Sequence, residues 1–527
     1  MTDKKIPFVG LHAHSVAGSI FDAIGYPNEH MDFCYENGGE ALALTDHGNM
    51  NGFSHQFLHW QKMKSEGKEF KPIFGVEAYF LPSIEEWRDD YERIKEDKKL
   101  AKSLAKQGDT SGATVEDEDA SKKAIKSVIN RRRHLVLLAQ NQTGLNNLFK
   151  LISASYREEN FYRYPRVDYK MLAEHSEGVI AASACLGGPY AGNYWEHREE
   201  GPEAVREAMR ETTRNFLKVF GDRWYGELQW NNIPEQHELN QHIIEVCKEF
   251  DVTLISTADS HYPNREAWKD RELYKRLGWL GKGTPAWAED NTELPPGVEE
   301  IGYELYPKNG NQIWESYKEY SQNLGMEYDD ELVMNSITET HNIAFNRIET
   351  FVPDTKVRLP DFVVPAGFTD AEALVNYALE GLRERGLHEN EEYTTRLQQE
   401  LDVIEDRGFS KYFLTMKAIA DKANEVQLTG PGRGSAAGSL AAYVLGITQI
   451  DPIKYGLLFE RFLRKDATDY PDIDYDVAEP MQLKEMLMED WGKNSVIPIS
   501  NWNTLQLKSL IKDISKFYGV EFGEVNK

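Results

Sequence analysis

With 527 residues, 40% of them hydrophobic and 11% aromatic, the chain is long enough for two or three folded domains with sizeable cores. Its net charge of −27 argues against a surface built chiefly for phosphate contact, which runs on Lys and Arg. Bound divalent metals would offset part of that acidity, because carboxylate clusters hold them. Cys34, Cys185 and Cys247 are too few for a disulfide framework and fit a reducing, cytoplasmic setting. MTDKKIPFVG contains no signal-peptide core, and no run approaches the roughly 18 apolar residues of a membrane span, so no membrane partner is expected.

In chain order, the first half alternates short apolar strands with helical stretches. The predicted strands are ALALT (41–45), KPIFGVEAYF (71–80), HLVLLA (134–139), VIAASA (179–184), WYGELQW (224–230) and TLIST (253–257). HELNQHIIEVCKEF (237–250) is one of the helices between them. This alternation predicts an α/β fold with a mostly parallel sheet or barrel. Residues 83–133 interrupt it with charged sequence, read as one or two exposed helices and a mobile loop carrying the acidic run EDEDA. The basic run KKAIKSVINRRR (122–133) reads better as a solvated helix face than as a nucleic-acid contact. Residues 270–360 are polar and helical, PDTKVRLPDFVVPAG (353–367) reads as a linker, and 370–425 has apolar positions at helical spacing.

Metal-type residues recur at the strand ends. His12 and His14 stand two apart, on one face of an extended chain. Asp46 and His47 end one strand, Glu77 lies within another, and His134 begins a third. Cys185 ends a fourth, and Asp259 and His261 a fifth. In parallel α/β folds the strand ends form one rim where sites are built. Imidazoles, carboxylates and one thiol converging there suit a borderline metal.

The segments HAHS, TDHGNM, KPIFGVEAY, HLVLLAQN, ACLGG and ADSHY, in that order, resemble the motifs of the PHP (polymerase and histidinol phosphatase) domain. The resemblance implies a distorted seven-stranded β/α barrel that holds up to three metals. It also implies nine ligands: His12, His14, Asp22, His47, Glu77, His134, Cys185, Asp259 and His261. FDAIG around Asp22 departs from the usual Asp-Gly. The ligand mix favours Zn2+, Mn2+ or Fe2+ over Mg2+. Such metals would clamp a phosphodiester and acidify a bound water, as in a 3′–5′ proofreading exonuclease.

Further on, LTGPGRGSAAGSLAAYVLGIT (428–448) sets a Gly-rich turn before a helical run. Pro431, Gly432, Gly434 and Gly438 let the backbone approach a ligand, and a helix start offers free N–H groups. Arg433 adds a phosphate fork, and Ser435 and Ser439 can donate hydroxyl bonds. Spacing alone leaves two readings open: a triphosphate cradle, or a loop packing two helices. In DYPDIDYDV, read as a strand, Asp472, Asp474 and Asp476 share one face while Ile473, Tyr475 and Val477 share the other. Three carboxylates on one face call for a divalent cation.

GFSKYFLTM, GPGRGSAAGS, DPIKYGLLFERFL and PDIDYD match in order and spacing and resemble the palm of C-family, bacterial-type replicative DNA polymerases. That implies an α+β nucleotidyltransferase-like (polymerase beta-like) palm, with Mg2+ held by Asp472 and Asp474. Arg433, Gly434 and Ser435 would hold an incoming deoxynucleoside triphosphate opposite a primer–template. The expected division is a PHP phosphoesterase domain over 1–268, the first part of the palm over 269–500, and the start of the thumb over 501–527. The family's third catalytic aspartate, fingers and clamp-binding segment are not found up to GVEFGEVNK (519–527): either a C-terminal partner chain supplies them and reaches the sliding clamp, or the chain is a truncated piece of a longer polymerase. Two alternatives are a stand-alone metal-dependent nuclease with an inactive palm and a non-catalytic replisome scaffold.

Overall fold

The structure is a computed structural model that describes residues 5–106, 128, 130–279, 304–360, 364–497, 499, 506–517 and 520–527. The chain forms two compact units: Met1–Asp354 with Leu505–Lys527, and Thr355–Thr504.

The first unit is built on a curled sheet. Its eight strands are β1 Ala41–Leu44, β2 Lys71–Phe80, β3 Arg133–Ala139, β4 Phe161–Tyr162, β5 Tyr164–Pro165, β6 Val179–Ala182, β7 Trp224–Gln229 and β8 Leu254–Thr257. Six of them pair in the order β1-β2-β3-β6-β7-β8, and β4 pairs only with β5. β3 runs antiparallel to both neighbours, and the other pairings in the six-stranded sheet are parallel. The extended segment around residues 10–14 closes the sheet. Gly10 bridges Leu42 on one side and Ala13 bridges Ser260 on the other. Ala43 and Thr45 donate to Gly10 and Ala13 at 2.8 and 2.7 Å, and His14 N donates to Ser260 O at 2.7 Å. This seventh stave completes the expected β/α barrel.

Strand alternation then sorts the side chains. Leu42, Phe74, Val76, Leu135, Leu137 and Trp224 face the helices in the main core. Val9, Ala43, Ile73, Val136, Ile180, Tyr225 and Ile255 form a separate apolar cluster on the inward face. Ile343 and Ile348 join it, and Lys71 Nζ donates to the carbonyls of Ala344 and Ile348 at 2.6 and 2.5 Å. One end of the barrel interior is thus apolar and capped. The inward row continues as Glu77, His134, Glu227 and Asp259, so the other end is ionisable.

The compact barrel unit runs past residue 268. Helices Gly310–Asn323 and Asp330–Asn342 belong to the barrel unit. Ser336 Oγ lies 2.7 Å from Ser256 Oγ, and Val9 N donates to Thr340 Oγ1 at 3.0 Å. Leu505–Lys527 also falls in this unit. The charged insertion begins with helix Ile84–Lys106, anchored by buried Trp87, whose Nε1 donates to Val128 O at 2.8 Å. EDEDA and most of the basic run 122–133 lie outside the described residues.

The second unit is largely helical. Helices Asp370–Glu384, Glu391–Asp406 and Ser410–Val426 pack around Leu374, Leu397, Leu401, Phe413 and Leu440. Its extended segments 428–430 and 476–478 pair antiparallel through the Thr429–Val477 bridge. Gly430 N donates to Asp476 O and Ala478 N to Leu428 O.

Candidate functional site

At the ionisable end of the barrel, the fully buried Glu77 is reached by four histidines. Its Oε2 lies 2.6 Å from His12 Nε2 and 3.0 Å from His14 Nε2. Its Oε1 contacts His134 Nδ1 and lies 3.5 Å from His47 Nδ1. Asp259 Oδ1 stands 3.2 Å from both His12 Nε2 and His14 Nε2. Asp22 Oδ2 lies 3.0 Å from His47 Nε2 and 3.4 Å from His261 Nε2. Cys185 Sγ is 3.7 Å from His134 Nδ1 and accepts the Gly187 N–H at 3.4 Å. The nine residues picked out by the PHP resemblance are thereby brought together.

The donors fall into three groups, each with its donor atoms within 4.8 Å of one another: His12, His14, Glu77 and Asp259; His47, Glu77 and His134; His14, His47 and His261. Glu77 belongs to two of them and offers one oxygen to each. His14 Nε2, His47 Nδ1, Glu77 Oε1 and Asp259 Oδ1 are buried and make close charge contacts but no hydrogen bond. An unmatched buried polar group costs about 1–3 kcal/mol. Four facing one another fit shared cations, and a nitrogen and oxygen set with a nearby thiol suits borderline divalent metals.

The electrostatics reflect burial and the crowding of imidazoles with carboxylates. Burial pushes His12 down, but Asp259 and Glu227 outweigh it and raise the imidazole well above its ordinary range. Burial likewise would raise Glu77, yet His134, His47 and His12 hold it well below the usual carboxylate range. His261 differs: burial takes it down to about 4, with Arg271 and His14 adding to the effect over the opposition of Asp259. Burial, with Asp259 and Glu77, pushes the Cys185 thiol well up. Positive φ occurs at Asp259 (49°), at Ala184 before Cys185 (57°) and at Phe21 before Asp22 (60°). Such strain in non-glycine residues concentrates where geometry is over-determined.

Several supports were not expected from sequence. Glu227 takes His12 Nδ1 at 2.7 Å and accepts from Thr257 Oγ1 at 2.5 Å and Gln229 Nε2 at 3.1 Å. A carboxylate in the middle of the apolar run WYGELQW was the available signal. Arg271 grips Asp22 through Oδ1 at 2.8 Å and its carbonyl at 2.6 Å. Asp46, expected among the strand-end donors, instead accepts from Ser15 N, Ser15 Oγ and Ser19 Oγ at 2.6–2.9 Å and supports the His14 loop.

In the second unit, the Gly-rich loop and the acidic segment face each other. Arg433 Nη2 lies 3.2 Å from Asp474 Oδ1, and its Nε 3.3 Å from Asp476 Oδ1. Ile473 and Tyr475 pack against the core while Asp472 and Asp476 are exposed and Asp474 is half-buried; the segment expected as a strand is extended chain with a single bridge at Val477. Gly434 has φ +66°, and a Cβ there would fall 2.4 Å from Asp474 Oδ2. Gly434→Ala should therefore push Asp474 off Arg433. A double-mutant cycle of Arg433→Ala and Asp474→Ala should show little coupling in the Gly434→Ala background.

Ser439 is not brought to that face. It is fully buried, caps helix Leu440–Val444 by accepting from Ala442 N at 3.1 Å, and donates to Glu400 at 2.9 Å. Glu400 also accepts from Leu440 N and Ala441 N at 3.0 and 2.9 Å and from Arg396 Nε at 2.7 Å. A side chain of the protein thus fills the helix start that was expected to face phosphate. The run after the loop is a 3-10 turn, Ser435–Gly438, before that short helix. Glu400 lies on the apolar stripe of its helix beside Leu397, Leu401 and Ile404, which was the readable sign of a bracing role. Glu400→Ala should destabilise the second unit by about 2–4 kcal/mol in denaturant unfolding, since it leaves two buried helix N–H groups and the Ser439 hydroxyl without their acceptor.

Comparison with known proteins matches residues 10–231 to the PHP domain and 372–527 to the bacterial DNA polymerase III alpha NTPase domain. DNA polymerase III subunit alpha of Aquifex aeolicus (strain VF5) is 33% identical over 99% of this chain and 40% of its own length. The Borreliella burgdorferi protein of that name is 31% identical over 99% and 40%, and that of Thermus aquaticus 30% over 98% and 42%. The chain spans about 40% of the length of these relatives. No helix among the described residues is long and apolar enough to cross a membrane. A PHP domain followed by the polymerase III alpha NTPase domain makes this chain similar, over nearly its whole length, to part of the DNA polymerase III alpha subunit.

Proposed function

We propose that the chain is the N-terminal portion of a replicative DNA-directed DNA polymerase, with a metal-dependent 3′–5′ exonuclease site in its barrel. The observation that carries the barrel reading is the set of four unmatched buried donors around Glu77. Zn2+, Mn2+ or Fe2+ ions held there would supply a clamp on the scissile phosphate and an acidified water. His12, His14, Glu77 and Asp259 would form one ligand group and His47, Glu77 and His134 another, with Asp22, Cys185 and His261 completing the set. Glu227 fixes the tautomer and orientation of His12 through its Nδ1, as partners behind metal-bound imidazoles do. Arg271 holds Asp22 in place.

In the palm reading, Asp472 and Asp474 hold Mg2+ and Arg433, Gly434 and Ser435 receive the triphosphate. Arg433 now spends its fork on Asp474 and Asp476. A bound triphosphate would take over that fork, which leaves Asp474 free to join Asp472 around cations. DNA synthesis then requires a primer–template, deoxynucleoside triphosphates and a C-terminal polymerase chain that supplies the third aspartate and reaches the sliding clamp.

Removing metal tests the barrel reading. Exhaustive chelation should stop digestion of a 5′-labelled oligodeoxynucleotide and lower the thermal midpoint of the barrel unit. Returning Mn2+ or Zn2+ at about 100 times its Kd should restore about 2.7 kcal/mol of stability. A chain whose digestion and midpoint both ignore chelation has no such site.

A further inference from the structure

A row of rings leads from the cluster to the surface. Glu77 and Tyr79 share the inward face of β2. Tyr79 stacks beside His47 with centroids 6.1 Å apart and lies 5.6 Å from His134. Tyr164 meets Tyr79 edge-on at 5.6 Å. Across the β4–β5 hairpin Tyr164 pairs with Tyr162. Phe161 and Tyr162 are 39% and 37% exposed, large values for rings in a folded unit. Gly48, next to His47, has no room for a Cβ, which would lie 3.0 Å from both Pro165 and the Tyr79 ring. The hairpin is therefore seated directly against the cluster.

Unspent cations line the same row. Of three consecutive arginines, Arg131 pairs with Asp90 and Arg133 with Glu196. Arg132, between them, has no carboxylate partner among the described residues. It donates to Asn130 O at 3.0 Å, and its Nε is buried without a partner. Its Cζ sits 3.8 Å over the Tyr164 ring and 5.1 Å from that of Tyr79. Arg163, the exposed single residue between β4 and β5, is held at φ +60°, a conformation glycine would adopt without strain. A charged side chain kept at a strained position points to a use for that side chain. Glu158 and Glu159 precede the hairpin, and Glu159 lines a separate cavity with Arg88 and Asp168.

We propose that Phe161, Tyr162, Arg163, Tyr164, Arg132 and Tyr79 form a platform that binds single-stranded DNA and leads its 3′ end to the cluster. Exposed rings stack on unpaired bases whatever the sequence, whereas a duplex hides its base faces. Arginine forks take the intervening phosphates. On a chain of net charge −27, arginines held over rings and not by carboxylates are where a polyanion can land. The destination of the strand rests on the exonuclease reading; binding by the strip does not.

The test is fluorescence anisotropy of the full chain in EDTA with a 5′-fluorescein single-stranded oligodeoxynucleotide. Tyr162→Ala with Arg163→Ala should weaken binding by roughly tenfold or more. Arg132→Gln should lower the slope of log K against log salt by about 0.7. Arg163→Gly should weaken binding yet raise the thermal midpoint, because it relieves the strained φ; a merely structural residue would not separate the two. The exonuclease reading is tested apart from binding, by metal-dependent digestion of the same oligodeoxynucleotide with His12→Ala and His14→Ala combined. Binding within about twofold of the parent in both hairpin variants, or a parent that does not bind the single strand, would overturn the proposal. Digestion that persists in the double histidine variant would instead overturn the exonuclease reading and leave the binding result standing.

Discussion

Replacing His12 and His14 together by alanine is expected to abolish metal-dependent digestion of 3′ ends, a loss of at least about 10³-fold, since removing one preorganised charge-stabilising group already costs 10²–10³. Both imidazoles are buried, and both face Glu77 Oε2 and Asp259 Oδ1. Without them, two carboxylates remain in a buried space with too few nitrogen donors to hold a cation between them. The first ligand group of the cluster is lost, and Glu77 no longer links it to the second. The measurement is release of labelled mononucleotide by parent and variant at matched metal concentration. Circular dichroism of both proteins shows whether the barrel stays folded. Parent-like digestion by a folded variant contradicts the assignment. Glu227→Gln should have a smaller effect, about 10- to 100-fold in metal affinity, because it orients His12 from behind.

The second large effect is expected in the palm. With the C-terminal polymerase chain present, Asp474→Ala or Asp472→Ala should reduce primer extension by at least about 10³-fold while leaving 3′ digestion by the barrel intact. Asp474 lies so close to Gly434 that no Cβ fits there, and it meets Arg433, so the phosphate-type loop and the carboxylate form one unit. Asp472 is exposed two residues before Asp474, where cations can reach it. Asp476 also meets Arg433 but belongs to the backbone-paired end, where Gly430 N donates to its carbonyl. Asp476→Ala should therefore cost less than about tenfold, the size of a single exposed ion pair and its screening. Equal losses at Asp474 and Asp476 would mean that the acidic face acts as a diffuse charge and not as a metal seat.

Much of the cluster was readable because ligand chemistry and barrel geometry act on the same residues. His12, His47, Glu77, His134 and Asp259 interrupt otherwise apolar strands or follow their ends, and strand ends share one rim. β2 was recovered over its full Lys71–Phe80 span because both its faces are buried, which makes a continuous apolar run. Glu227 was passed over for the same reason. Its strand is buried throughout, so no alternation sets apart the side chain that points at His12. Even Asp22, in a segment without the usual glycine, reaches His47 and His261, because Arg271, far along the chain, holds it.

The remaining differences are tertiary. Ser439 sits in a stretch that reads as a phosphate-facing helix start, but Glu400, 39 residues earlier, occupies those N–H groups. The polar sequence of 310–348 gave no sign that Ser336, Thr340 and the carbonyls of Ala344 and Ile348 would serve the barrel. Polar side chains that bond to strands look like surface residues until their partners are known.

Metal analysis of the purified full chain tests the central claim most directly. After dialysis against Mn2+ or Zn2+ and removal of free ion, the parent should retain more than one equivalent per chain, and the His12→Ala, His14→Ala variant should retain markedly less. Retention at background level in the parent, or equal retention in both proteins, would contradict a metal-holding cluster around Glu77.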